Sequence, residues 1–365
     1  MAATAPAADV SFQHEVQRSI DRGLDWLGQN QNSNGWWATA DHPAVTALAL
    51  HAFNGDPSRR LRQATSPALQ RGYRFILSSV QTNGAIFRIG LANYNTALAM
   101  LPLISSEDAA YQPVLQNARR WLVANQVDQG ERGLVDSPFD GGIGYGSRYD
   151  HSDMNNTLVA LEALYHSRQL DRDQSSPGLQ DLNWPAVRHF IASCQNLPTV
   201  NKESWVTGDA KNLGGFIYYP GNSMAGSETN ANGVVALRSY GSISYAGLLS
   251  YIYADVRPED PRVQAVLTWL RRNFSLDENP GLGRQGYFYY LHLMTKALQA
   301  AGIEEFQLAD GRRIAWRKEV ALRLINLQKA DGSWLNDEQA RWWEKEAPLV
   351  TAYSVLTLEI IHRGL

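Results

Sequence analysis

A single cysteine, Cys194, occurs among 365 residues. No internal disulfide can form, and a zinc site built on several thiolates is excluded. No apolar run approaches the roughly 20 residues that cross a bilayer as a helix. Charge of one sign is also lacking: 33 Lys and Arg stand against 36 Asp and Glu, a net of −3. That balance offers none of the basic excess that phosphate backbones demand. Neither a transmembrane segment nor a nucleic-acid partner is therefore expected, and no residue pattern asks for a cofactor.

What is present is an ordinary globular composition, 44% hydrophobic and 19% charged, with many aromatics. There are 11 Trp and 16 Tyr, often beside Gly rather than inside regular apolar stripes. The opening MAATAPAADVSF, residues 1–12, reads as a flexible tail. It is either a plain tail or what remains of a processed signal peptide, so a cytoplasmic or an exported location stays open.

A repeat organises the rest. A two-helix unit recurs six times at irregular periods of roughly 45 to 80 residues, near the length of known helical-pair repeats with insertions added. Each unit starts with an amphipathic helix ending in an aromatic or aliphatic pair and usually a Gln, as at Trp26-Leu27…Gln31 and Leu324-Ile325…Gln328. A Gly-aromatic turn follows, for example Gly35-Trp36-Trp37, Gly214-Gly215-Phe216 or Gly332-Ser333-Trp334. Then comes a second helix, apolar on nearly every face, such as HPAVTALALHAF from His42 or PLVTAYSVLTLEII from Pro348. A helix apolar all round is buried on all sides, whereas the first helices keep a polar face. Buried helices alternating with half-exposed ones predict an all-α (α/α)6 toroid, an inner and an outer ring of six hairpins. Six pairs close it and leave no end repeat to cap. It spans residues 13–365 as one domain, with a long insert at about 201–238 that exceeds a plain connection. An open superhelical stack is the alternative.

The segments Gln328 to Trp334 (QKADGSW) and Gln31 to Trp36 (QNSNGW) resemble the Gln-to-Trp motif of squalene-hopene cyclases within the prenyltransferase and squalene-cyclase repeat superfamily. The pattern covers residues 13–365 and implies a single-toroid member, whereas triterpene cyclases carry two helical domains. In that family the motif staples an outer helix end to the start of the next inner helix. A second resemblance lies at the third inner helix. These cyclases carry Asp-x-Asp-Asp-Thr there, and the middle Asp protonates an alkene or epoxide. This chain has Asp153-Met154-Asn155-Asn156-Thr157. An amide at 155 cannot act as the acid, so the resemblance implies that Asp153 or Asp150 supplies the proton. Protein prenyltransferases share the toroid but hold zinc with Asp, Cys and His. Their Asp-x-Cys pair has no counterpart here, and Cys194 reads as packing.

Ligands of helical toroids bind where inner helices begin, which singles out several polar and aromatic residues as candidate substrate contacts. They are Trp36, Asn93, Tyr94, Asn95, Phe216, Tyr218, Tyr240, Tyr290 and His292. Capping competes for Asp153 and Asn93, since Asp and Asn before a helix usually serve its free N–H groups. His42, His151 and His292 stand near the starts of alternate inner helices and form a weak candidate metal set. The aromatics either line a greasy cavity or plug gaps between hairpins. The expected function is acid-initiated cyclisation, or binding, of a hydrophobic isoprenoid. The alternatives are a non-catalytic toroid binding a lipid, glycan or peptide, and an unrelated enzyme on the same ring.

Overall fold

The structure, a computed structural model, describes residues 10–59, 66–146, 151–171, 181–229, 233 and 235–365. Twelve α-helices dominate them. The outer ones are α1 (Val10–Gln29), α3 (Pro67–Leu77), α5 (Gln112–Ala124), α7 (Trp184–Ser193), α9 (Pro261–Arg272) and α11 (Trp316–Leu327). The inner ones are α2 (Pro43–Gly55), α4 (Ala92–Ser105), α6 (Met154–His166), α8 (Gly241–Tyr253), α10 (Tyr287–Ala300) and α12 (Ala347–Arg363). Two short antiparallel hairpins complete the picture, β1 (Ser227–Thr229) with β2 (Val235–Leu237) and β3 (Phe306–Gln307) with β4 (Arg313–Ile314).

Burial sorts the helices as their composition dictates. Every residue of α8 except Ile252 is buried, whereas α9 buries one face made by Val263, Val266, Leu267, Trp269 and Leu270. The inner helices form a closed circuit: α2 packs on α4, then α6, α8, α10 and α12 follow, and α12 returns to α2. Helix α1 packs against both α11 and α12, so the chain's beginning meets its end. The fold is an all-α toroid. Cys194 is fully buried at the end of α7, a packing residue.

The turn between an outer helix and its inner partner is built the same way five times. The backbone N–H groups of Trp37, Ile86, Ile143, Phe216 and Trp334 donate to hydroxyls of Thr46, Thr96, Thr157, Ser244 and Thr351. Each hydroxyl sits about one turn into the inner helix and satisfies a donor that the turn would otherwise bury unpaired. Gly35 and Gly332 turn with φ of +96° and +97°, and a Cβ at either would lie 2.3 Å and 2.6 Å from the backbone oxygens of Arg71 and Arg22. Only glycine allows that conformation and that approach to the next outer helix.

Two expectations from the sequence are corrected here. Gln31 Nε2 donates to the carbonyls of Gly35 and Ala68 at 3.0 and 2.9 Å, and its oxygen accepts from Arg71. Gln328 likewise joins Gly332 to Ser19 of α1. The glutamines thus link an outer helix to the next outer helix; the tie to the inner helix is the N–H to hydroxyl bond. The ring that matches Trp334 is Trp37, not Trp36. Both Trp37 and Trp334 are fully buried, and their indole N–H groups donate to the carbonyls of Leu27 and Leu324 at 2.8 Å.

Candidate functional site

The starts of the inner helices surround an upper chamber of about 530 Å³. Its wall is a shell of tyrosines: Tyr94 from α4, Tyr289 from α10, Tyr353 from α12, and Tyr145, Tyr218, Tyr219 and Tyr240 from the approaching segments. Burial pushes the Tyr94 phenol up to about 12 and Tyr240, Tyr289 and Tyr353 well above the usual range. Their rings therefore present neutral hydroxyls and π-faces, not phenolates. Below, the ends of the inner helices enclose a lower chamber of about 730 Å³. Leu48, Tyr94, Tyr289 and Tyr353 belong to both walls and form the waist between them.

Two buried carboxyl groups border the upper chamber. Asp153 is the N-cap of α6: its carboxylate accepts from the backbone N–H and the amide of Asn156 at 2.9 and 2.6 Å. The Tyr218 hydroxyl stands close enough to lower the carboxylate's proton affinity and lies 3.1 Å from that of Tyr145. Burial pushes Asp153 up to about 6, against the downward pull of Asn156 and Tyr218. Desolvation outweighs the cap and leaves this carboxyl poised near neutrality. Because a phenol carries one proton, Tyr218 hands it either to Asp153 or, when Asp153 is protonated, onward into the chamber.

Glu344 is the second. The segment before α12 brings it under the start of α10, where it accepts from the N–H of Tyr289 at 2.9 Å and from Asn336 at 2.6 Å. Burial raises it to about 7 against those donors. The preceding Trp342 and Trp343 both adopt left-handed backbone, φ 54° and 68°, at a strain of about 1–3 kcal/mol each. Anchoring by Glu344 holds that strain and lays both indoles on the chamber mouth, Trp343 edge-on to His42 at 5.4 Å.

The structure gathers some of the sequence candidates and scatters others. Tyr94, Tyr218, Tyr240 and Asn155 line the upper chamber. Asn155 aims its amide oxygen at Tyr289, which donates to it at 2.9 Å. Asp153 lies behind Tyr218 rather than in the wall, and Asp150 falls outside the described residues. Asn93 is a structural clamp, bonded to the Gly144 carbonyl and to the Trp121 indole. Asn95 caps α2 from the neighbouring α4 by accepting from the N–H of Ala44 at 3.1 Å. Phe216 is buried edge-on against Tyr251, and Tyr290 donates to the Ser275 carbonyl; neither lines a chamber. Trp36 is half-buried on the outer side and lines neither. His42 and His151 reach the upper chamber, but His292 lies more than a turn down α10, bonds Thr357 and lines the lower one. The three imidazoles do not converge, and among the described residues no His, Cys, Asp and Glu group is placed to hold a metal. The insert contributes Tyr218, Tyr219 and Met224 to the upper wall.

Sequence reasoning missed Tyr353 and Glu344 at this site. A lone Tyr in the apolar run of α12 was the available signal for the first. The charge run Arg341 to Glu346 reads from the sequence as a shield for the start of the last inner helix, with no site role, yet Glu344 within it is buried at the chamber.

No family model matches the chain, and no curated protein matches its sequence. Solved structures do share its fold. The type II terpene cyclase MstE from Scytonema, without ligand, aligns with a TM-score of 0.55 at 13% identity, covering 97% of this chain and 99% of that one. A variant of MstE with one substitution, in complex with its substrate geranylgeranyl dihydroxybenzoate, aligns with a TM-score of 0.54 at 12% identity and the same coverage. At this identity the likeness is one of fold: the chain has the architecture of a type II terpene cyclase over almost its whole length.

Proposed function

We propose that the upper chamber holds a hydrophobic chain of the isoprenoid class and starts its cyclisation by proton transfer. The observation that carries this reading is the pairing of an aromatic wall of neutral phenols with a buried carboxyl near neutrality one hydroxyl away. In its protonated form Asp153 passes a proton to the oxygen of Tyr218 as the Tyr218 hydroxyl proton adds to a terminal alkene carbon or epoxide oxygen. The π-electrons or the C–O bond electrons move accordingly, leaving a cation that the surrounding π-faces stabilise. Ring closure consumes further alkenes, and loss of a proton from carbon ends the sequence. Glu344 in its ionised form is placed to take that proton up, so the reaction is an isomerisation without added reagent.

Binding without turnover is the second reading, favoured by Asn155. It stands in the wall with an amide where the resemblance leads one to expect the acid. The experiment is incubation of purified protein with C15 and C20 polyprenyl substrates bearing a terminal alkene or epoxide, followed by gas chromatography and mass spectrometry. Cyclised products of unchanged mass are expected, reduced at least about 100-fold in Asp153→Asn and Tyr218→Phe, the scale of a lost general acid. Product formation at the wild-type level in both variants would remove this relay. Recovery of the unreacted chain bound to the protein would select the binding role.

A further inference from the structure

The lower chamber is absent from the reading above and differs in chemistry. Glu162 of α6 and Lys296 of α10, helices that are not neighbours in the ring, meet across its lumen at 2.5 Å. Around them stand His51, His166 and His292, all neutral because burial lowers their affinity for protons. Apolar wall is supplied by Leu98, Leu101, Leu158 and Leu356.

Within this wall Glu359 of α12 is fully buried, and neither carboxyl oxygen has a hydrogen-bond partner. Buried carboxyl oxygens are almost always paired, because leaving one unpaired costs its full desolvation. Gly55, the last residue of α2, makes room for it: a Cβ there would lie 2.0 Å from Glu359 Oε2. The groups facing Glu359 are Arg363 on its own helix, which donates to the Gly55 carbonyl, and Asp56 just beyond α2. Lys296 is committed to Glu162, and Arg59 is exposed at the rim. All six inner helices also end at this side, with the partial negative charge of their last carbonyls.

The geometry points to the lower chamber as a second binding site, for an alkylammonium ion whose N–H donors pair with Glu359 while its hydrocarbon lies along the leucines. Among the described residues an anion finds unpaired cations only at the exposed rim, Arg59 and Arg363, and an uncharged ligand leaves the carboxyl unmatched. Burial holds Glu359 well above the usual carboxyl range, so an arriving cation ionises it and expels a proton. Affinity accordingly rises with pH.

Titration calorimetry on the intact protein tests this with hexylammonium, hexan-1-ol and hexanoate in two buffers of different ionisation enthalpy at neutral pH. Saturable binding of hexylammonium alone is expected, with about one proton released per ligand and at least about a tenfold weaker affinity in Glu359→Gln. Equal binding of hexan-1-ol or hexanoate overturns the proposal, as does wild-type binding without proton release. An unchanged affinity in a Glu359→Gln variant with a normal melting profile overturns it too. Should that variant not fold, the proton count on the wild type decides.

Discussion

The two chambers are cut from the same six helices yet differ in every polar respect. The upper one lies at the helix starts and is walled by tyrosine hydroxyls, with Asp153 behind the wall and Glu344 within it. The lower one lies at the helix ends and sets an ion pair across its lumen and a bare carboxyl in its wall. A ring of near-identical apolar helices therefore specifies its chemistry by a few polar insertions, and their height along the helix decides which chamber receives them. Asn155 and Glu162 share α6 and serve opposite ends.

The largest effect is expected from breaking the pair across the lower lumen. Lys296→Ala leaves Glu162 charged and buried, at a cost of about 3–5 kcal/mol. The double change Glu162→Gln with Lys296→Met should recover most of it. Urea denaturation checks both, and a single variant as stable as the wild type would show that the pair carries no structural role.

Next come opposite pH dependences. His51 in the lower chamber is held at about 4 by burial, below its ordinary 6.5. The unfolded chain binds that proton first, so stability is lost as pH falls from about 6.5 towards 4. Asp153 is held at about 6, above its ordinary 3.8. The folded chain binds that proton first, so stability is gained as pH falls through the same interval. Each group contributes a slope of up to about 1.4 kcal/mol per pH unit, and in the wild type the two oppose each other. His51→Gln should make stability fall more steeply with rising pH between 4 and 6, and Asp153→Asn should do the reverse. Identical slopes in both variants would refute the assignment.

Smaller effects should come from single hydrogen bonds that shape the chambers. Gln328→Ala removes its bonds to Ser19 of the first outer helix and to the Gly332 carbonyl and should cost about 1–3 kcal/mol. Its Asn counterpart, one methylene short, should not restore it. Tyr289→Phe frees Asn155 at the waist and should cost about 1 kcal/mol, seen as a shift of one or two degrees in melting temperature for a chain of this size.

The ring itself was legible in the sequence because its signals are repeated. The second helices begin within about two residues of where their apolar runs start, at Pro43, Ala92, Gly241 and Ala347. The Trp36 and Trp37 pair shows the limit of that reading: both fit a Gly-aromatic turn, and only the spacing from the preceding helix tells which ring enters the core. Asn93 and Asn95 were legible as polar groups at a helix start, but a cap and a ligand contact look alike there. His292 was misplaced because a helix start locates a residue in sequence, whereas one turn further along it lies about 5.4 Å deeper. Glu344 was hidden because left-handed backbone at two tryptophans folds it inward, and no propensity forecasts that conformation for Trp.

The most direct test of the upper chamber as a hydrophobic-ligand site is a crystal structure of the protein soaked with geranylgeraniol. The chain should lie among the rings of Tyr94, Tyr218 and Tyr240 above the waist. Density for it in the lower chamber or on the outer surface, with the upper chamber filled by water alone, would contradict the account.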